Sequence, residues 1–122
     1  PATLNNVTMT SGGAAGVPTL NNVGAVLATN TVILGPAVGV AICAGALAGG
    51  SADNVEFNGT PTCGAANVDP GLGGLTGAAP FHYAIGGAAI IDAGNNATCD
   101  ATDQLGAGRP VGPACDIGAI EY

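Results

Sequence analysis

"TLNNV" at residues 3–7 recurs at residues 19–23, and "ATNTVIL" at residues 28–34 is a looser third copy. In each copy, β-branched or aliphatic residues follow an asparagine. Asparagine tolerates the left-handed backbone conformation of a bend, and β-branched residues favour an extended strand. A short strand, a bend and a second strand, repeating after 16 residues, are what one coil of a stacked parallel β-structure requires.

This repeat predicts an all-β fold, a short parallel β-helix (β-solenoid) of about three to five coils. In stacked coils the asparagine side chains would lie over one another and hydrogen-bond along the stack, while Leu4 and Leu20 fill the interior. The alternative is an antiparallel β-sandwich with asparagine in its hairpin turns. Helix is not expected, because no long stretch keeps a helical apolar period without glycine.

The composition indicates one small domain with an unusual core. The chain has 122 residues, of which 22 are glycine, 7% are charged and 3% are aromatic, so Val, Ile, Leu and Ala must fill the interior. The net charge is −7, and the single basic residue is Arg109. Binding to nucleic acid or to anionic lipid requires clustered cations, so the sequence excludes both classes of partner.

Charge is unevenly distributed along the chain, since residues 1–52 carry no charged side chain. We predict repeat coils in residues 1–52, loops and the last coils in residues 53–98, and a C-terminal cap in residues 99–122. A membrane-spanning helix is not expected in residues 31–52, because glycine and proline interrupt that stretch. No signal peptide is visible and the chain begins with Pro1, so a mature or processed product is expected.

The cysteines Cys43, Cys63, Cys99 and Cys115 lie 20, 36 and 16 positions apart. Zinc ligands usually come in close pairs, so this spacing favours disulfides formed in an oxidising compartment. Three connectivities are open. We favour Cys43 with Cys63 and Cys99 with Cys115, because each bond would close a glycine-rich loop.

The last part of the chain, "AAIIDAGNNATCDATDQLGAGRPVGPACDIGAIEY", resembles the C-terminal element of the choice-of-anchor Q domain proteins, which are secreted bacterial proteins with a right-handed parallel β-helix. The resemblance covers about residues 19–122 and is strongest at the end. It implies a right-handed β-helix closed by a disulfide-pinned C-terminal cap, and it supports the local cysteine pairing. The residues that match the family pattern are Ala89, Ile91, Asp92, Ala93, Gly94, Cys99, Thr102, Asp103, Gln104, Gly106, Arg109, Pro110, Cys115, Asp116, Ile117, Gly118, Ala119 and Glu121.

Two departures from the family pattern carry expectations of their own. Leu105 stands where the family usually has arginine, which leaves Arg109 as the sole cation. We therefore predict a buried structural ion pair of Arg109 with Asp103 or Asp116. Family members normally have many more coils, so the chain looks like the terminal portion of such a protein.

The sequence predicts no catalytic residue, no cofactor and no metal site. A pectate-lyase type of site would need carboxylates and a base on adjacent coils, whereas Asp53, Glu56 and Asp69 lie in separate loops. His82 has no nucleophile in a recognisable arrangement beside it, which favours a structural role. The aspartates of the cap follow no known calcium-loop spacing. The fold of the resembling family does not by itself bring an activity.

The hypothesis that follows is a structural protein, extracellular or at the cell surface, whose partners are identical subunits. It would assemble into a filament or surface layer through its uncharged end. The alternative is a carbohydrate-binding or carbohydrate-cleaving module, or an adhesin fragment, that contacts surface glycans through aromatic side chains. The sequons that would accept N-glycosylation begin at Asn6, Asn58 and Asn96, and the aromatic residues that could contact a glycan are Phe57, Phe81, Tyr83 and Tyr122.

Overall fold

A computed structural model gives the structure of the protein and describes residues 2–11, 16–21 and 25–122. Within these ranges the chain forms short β-strands and no helix, so the expected all-β class holds there. The strands are β1 (Ala2–Asn5), β2 (Thr8–Thr10), β3 (Val26–Thr29), β4 (Val32–Leu34), β5 (Val55–Phe57), β6 (Ala66–Asn67), β7 (Leu72–Thr76) and β8 (His82–Ile85).

The strands belong to three separate sheets. Strands β1 and β3 form a parallel pair, and β2, β4, β5 and β6 form a four-stranded parallel sheet in that order. Strands β7 and β8 form an antiparallel ribbon, with a register shift between Leu72 and Leu75. Further parallel contacts are isolated bridges, such as Leu20 with Cys43.

The prediction of a short right-handed parallel β-helix is therefore wrong. The described strands do not form one continuous ladder, the last sheet is antiparallel, and the segment from 99 to 122 contributes only an isolated antiparallel bridge between Thr102 and Gly108. The physical reason lies in composition. Glycine and proline interrupt the chain after residue 58, and strands need longer β-branched runs to extend a ladder.

The predicted period of 16 residues is also wrong. Ala2 aligns with Val26 and Thr8 aligns with Val32, so both pairs are 24 residues apart. The second copy of the repeat, residues 19–23, lies partly outside the described residues. The bends do match the repeat, because Asn6 and Asn30 both have a φ of 48° and separate β1 from β2 and β3 from β4.

The core consists of two apolar clusters on the opposite faces of β4. Val32 and Ile33 are both fully buried, and adjacent residues of a strand point to opposite faces of the sheet. Val32 packs in one cluster with Val55, Ile90 and Ile117. Ile33 packs in the other, whose remaining members are Ile42, Cys43 and Cys63. One cluster thus joins the sheet to the C-terminal segment, and the other joins it to the first disulfide.

Candidate functional site

The C-terminal segment (residues 99–122) docks against the two asparagine bends. The backbone N–H of Asp100 donates to Asn6 Oδ1 at 3.0 Å, and that of Gly118 donates to the carbonyl oxygen of Asn30 at 2.8 Å. These hydrogen bonds join the end of the chain to its beginning. The segment that was predicted to form a C-terminal cap thus binds along the two asparagine bends.

The side chains of the two bend asparagines hydrogen-bond to residues near the end of the chain instead of stacking on one another. Asn6 Nδ2 donates to the carbonyl oxygen of Asp116 at 3.3 Å. Asn30 Oδ1 accepts from the backbone N–H of Asn95 at 2.8 Å, and its Nδ2 donates to Thr98 Oγ1 at 3.2 Å. The expected amide ladder along the repeat is therefore replaced by contacts with residues near the end of the chain.

Close approach of the C-terminal segment requires glycine at position 118. Gly118 has a φ of +111°, and a Cβ atom there would lie 2.7 Å from Thr8 Oγ1. The same hydroxyl oxygen accepts a hydrogen bond of 3.0 Å from the backbone N–H of Ala119. A side chain at 118 would separate these groups, because L-residues avoid this conformation and the space is already filled.

Arg109 lies at the centre of the C-terminal segment, and its side chain is completely buried. Nη1 lies 3.1 Å from Glu121 Oε2 and donates to the carbonyl oxygen of Asp116 at 3.0 Å. Nη2 donates to the carbonyl oxygen of Gly118 at 2.8 Å. The guanidinium therefore holds one carboxylate and two carbonyl groups of the same segment.

The predicted partner of Arg109 is wrong, since the ion pair forms with Glu121 rather than with Asp103 or Asp116. Backbone N–H groups already occupy the other two carboxylates. Asp103 accepts from Leu105, Ala107 and Glu121, and Asp116 accepts from Asp92 and Tyr122. Buried carboxylates need such partners, and local backbone donors supply them here without the single cation.

The two aspartates have pKa values that move in opposite directions from 3.8. Burial alone would raise the pKa of Asp103, but the backbone hydrogen bonds that its carboxylate accepts, helped by the charge of Arg109, outweigh burial and lower it. Burial, with the charges of Glu121 and Asp92, raises the pKa of Asp116 above 3.8 despite two backbone hydrogen bonds.

Opposite pKa shifts predict opposite pH dependences for Asp103→Asn and Asp116→Asn. The stabilisation from ionised Asp103 is present above its unfolded pKa and is lost as pH falls through its lower folded pKa. For Asp116, whose folded pKa is raised, the favourable term is present below the unfolded pKa and is lost as pH rises through the folded pKa. Urea unfolding from about pH 7 to about pH 2.5 should show the advantage of wild type over Asp103→Asn shrinking with acid. Its advantage over Asp116→Asn should grow, and parallel curves for the two variants would contradict the assignment.

Two disulfides link Cys43 to Cys63 and Cys99 to Cys115, with Cα–Cα distances of 5.1 and 6.4 Å. This is the local pairing that the sequence favoured. The first bond lies in a core cluster, and the second holds the start of the C-terminal segment against its later half. Disulfides persist in oxidising compartments, so these bonds indicate an extracellular type of environment.

The placement of Glu56 in a loop is wrong, because Glu56 lies on β5, where it is a buried structural carboxylate that the sequence did not reveal. Its side chain on β5 is 1% exposed. Oε2 accepts from the backbone N–H groups of Thr62 and Cys63, and Oε1 accepts from those of Gly64 and Ala65. A lone acidic residue inside the apolar strand "NVEFNG" was the available signal. The carboxylate orders the turn that carries Cys63. Because it is buried and its oxygens already accept four hydrogen bonds, the carboxylate is inaccessible to a substrate.

The other residues considered for chemistry remain apart. Asp53 is an exposed bend residue with a φ of 55°. The imidazole of His82 packs against the ribbon turn, where a Cβ on Gly77 would lie 2.7 Å from its Cε1, and His82 Nδ1 is buried without a hydrogen-bond partner. Residues 2–11, 16–21 and 25–122 contain no group of three His, Cys, Asp or Glu side chains that could hold a metal ion.

The three sequons differ in accessibility. Asn6 is 7% exposed, and both polar atoms of its side chain are hydrogen-bonded. Asn58 and Asn96 are exposed, although Asn96 Oδ1 accepts from the backbone N–H of Cys115 at 2.8 Å. A glycan at Asn6 would require this part of the structure to open, so the structure disfavours that candidate.

Strands β1 and β2 form an edge, defined here as the N-terminal edge. Each pairs with a single neighbour, and no described residue pairs with its other side. The backbone N–H of Ala2 donates to the carbonyl oxygen of Ala25, directly before β3, and the carbonyl oxygen of Val7 accepts from the backbone N–H of Val32. Because backbone groups alternate along a strand, those of Thr3 and Thr10 face away from the sheets. The edge is uncharged.

A cleft separates the β7–β8 ribbon from the C-terminal segment, and its volume is about 240 Å³. Leu75, Phe81 and Tyr83 line it from the ribbon. Ile117 and Gln104 line it from the opposite side, and Gln104 Nε2 donates to the carbonyl oxygen of Phe81 at 3.0 Å. Two of the four aromatic residues singled out in the sequence therefore share one concave surface.

Within the part of the chain that the structure describes, no helix is long and apolar enough to cross a membrane. Comparison of the chain with protein-family models, with curated proteins and with solved structures finds no match.

Proposed function

We propose that this chain is a structural, non-catalytic protein of the extracellular space or cell surface, and that it assembles with identical subunits into a filament or layer. The observation that carries this proposal is the N-terminal edge. Two adjacent strands present unpaired backbone groups, and residues 2–11 contain no charged side chain. Natural proteins usually protect such edges with charge, proline or a covering element.

The strands of this edge carry no charge that would repel a partner strand, since Ala2–Asn5 and Thr8–Thr10 contain no charged side chain. The nearest carboxylate is paired with the edge itself, because Asp100 Oδ1 accepts from Asn5 Nδ2 at 2.8 Å. The opposite edge of the four-stranded sheet is β6, whose residues Ala66 and Asn67 are both exposed. A head-to-tail contact between β2 and β6 does not close on itself, and repetition of such a contact produces a filament.

The resemblance of the C-terminal segment to choice-of-anchor Q proteins supports a secreted location. We extend the proposal to a relationship with that family in this segment. The matching residues include Arg109, Glu121 and the pair Cys99 and Cys115, which are the groups that hold the segment together. A carbohydrate-cleaving activity receives no such support, because the carboxylate of Glu56 is buried and already accepts hydrogen bonds from backbone N–H groups.

Charging the N-terminal edge tests the assembly. The variant Thr3→Lys/Thr10→Lys places two lysines at exposed positions of β1 and β2. Edge lysines resist strand addition, so we expect the concentration needed for assembly to rise about tenfold, equivalent to roughly 1.4 kcal/mol per contact. Light scattering and electron microscopy of the disulfide-bonded protein measure this threshold.

The matched control is Thr60→Lys/Thr76→Lys, which makes the same chemical change at two exposed positions outside this edge. This control should assemble like wild type. Moderate salt should promote assembly of both proteins, because it screens repulsion between subunits of charge −7. A wild-type protein that stays monomeric at high concentration, or equal thresholds for the two double variants, would disprove assembly through this edge.

A further inference from the structure

The cleft beside the β7–β8 ribbon has an apolar floor and aromatic walls. Its inner end is formed by Leu72 and Ile85, which pack against the core cluster of Val32 and Ile117. Towards the ribbon tip the cleft opens to solvent, where Phe81 is 63% exposed. The recess is therefore apolar at its inner end and open to solvent near the ribbon tip.

Among the residues that the structure describes, no charged side chain lines this recess, although the chain carries a net charge of −7. The polar residues at its walls are Thr8, Tyr83, His82 and Gln104, and none of them is a carboxylate, a lysine or an arginine. A charged ligand would lose its hydration here without gaining an ionic partner, which is costly. The recess therefore selects for a neutral ligand.

The size of the recess selects for a single ring. A dry cavity of about 150 Å³ lined by aliphatic and aromatic side chains accommodates benzene. The recess measures about 240 Å³, which leaves room for a ring with one or two substituents. Phe81 and Tyr83 can contact such a ring edge-to-face or in an offset stack. A sugar ring of the same size has hydroxyl groups around its whole edge, whereas the leucine and isoleucine side of the recess offers no polar partner.

We propose that the recess binds one neutral phenolic ring, with the ring against the apolar walls and its hydroxyl group at the polar rim near Gln104. The ligand that we assign is a free phenolic compound, because about 240 Å³ holds one substituted ring without an attached polypeptide. This proposal is independent of subunit assembly, since it rests on the ribbon and the C-terminal segment.

Nuclear magnetic resonance titration of the full chain with p-cresol tests the proposal. We expect saturable shifts of the amide signals of Phe81, Tyr83 and Ile117, with a Kd on the order of 0.1–1 mM for so small a ligand. N-acetyltyrosinamide identifies the source of the phenol: similar binding indicates a tyrosyl side chain, and much weaker binding indicates a free phenolic compound. Benzoate should bind at least about tenfold more weakly than p-cresol, because it carries a charged carboxylate group.

Two matched variants separate the recess from general surface effects. Phe81→Ser should weaken p-cresol binding about tenfold, because it removes an aromatic wall. Val38→Ser removes another exposed apolar side chain, 88% exposed and outside the recess, and should leave the Kd unchanged. The dispersion of the amide signals reports whether each variant is folded. Absence of saturable shifts in wild type, or tighter binding of methyl glucoside than of p-cresol, would overturn the proposal.

Discussion

Replacing Arg109 with methionine is expected to lower the free energy of unfolding by about 4 kcal/mol, the usual result of removing one partner from a buried ion pair. Methionine fills much of the same volume but donates no hydrogen bond. Glu121 would keep a buried carboxylate without its cation. The carbonyl oxygen of Gly118 would lose its Arg109 donor, and that of Asp116 would keep only the longer hydrogen bond from Asn6 Nδ2. A loss of this size is a large part of the stability of a typical domain.

Denaturant unfolding with both disulfides intact measures the effect of Arg109→Met. We expect a lower midpoint with an unchanged slope, since the surface exposed on unfolding stays similar. The double variant Arg109→Met/Glu121→Gln should recover about 2 kcal/mol relative to the sum of the single variants, because it also removes the stranded charge. A loss below about 1 kcal/mol for Arg109→Met would show that the pair is as weak as an exposed one.

Amide hydrogen exchange locates the same effect within the chain. The backbone N–H of Gly118 bonds to Asn30, far away in sequence, so its protection reports docking of the C-terminal segment. If Arg109 holds this segment as a unit, protection at Gly118 falls in the methionine variant more than protection at Val55 in β5. Uniform loss at both sites would instead indicate global destabilisation.

The disulfide pairing and the bend at Asn6 were easier to predict from the sequence than the arrangement of the strands. Cysteine pairing was accessible because each bond closes a short loop, and the bend at Asn6 was accessible because few residues other than glycine tolerate that backbone conformation. Both are local properties, because they depend on residues close together along the chain. The choice between Asp103, Asp116 and Glu121 as partner of Arg109 was not local. It depended on which carboxylates the folded backbone had already supplied with N–H donors.

The strand register could not be predicted from the sequence, because it also depends on residues far apart along the chain. The identical letters at residues 19–23 suggested a period of 16, yet Leu20 aligns with Cys43 instead of with the first copy. Strands of two to five residues contain too few side chains to specify their neighbours. What fixes the register of β4 is the simultaneous burial of Val32 and Ile33 in two clusters built from distant residues, and that burial becomes visible only in three dimensions.

Replacing Glu56 with glutamine is expected to lower the free energy of unfolding by about 3 kcal/mol, although the two side chains have nearly the same shape. Two of the four backbone N–H groups that point at the carboxylate would then face the amide NH₂, which cannot accept their hydrogen bonds. Each buried donor left without an acceptor costs about 1–3 kcal/mol, less where water can reach it. Glu56→Ala should lose more, because it strands all four donors and also opens a cavity beside β5.

The control for Glu56→Gln is Asp53→Asn, which removes the same charge three residues earlier. Asp53 is exposed and has a φ of 55°, a conformation that asparagine adopts readily. The free energy of unfolding should therefore change by no more than about 0.5 kcal/mol. The disulfide at Cys63 keeps the affected turn attached in both variants, and hydrogen exchange at Gly64 and Ala65 should show where order is lost. Equal stability of Glu56→Gln and Asp53→Asn would mean that the four N–H groups find other acceptors, and that the turn around Cys63 is ordered by the disulfide alone.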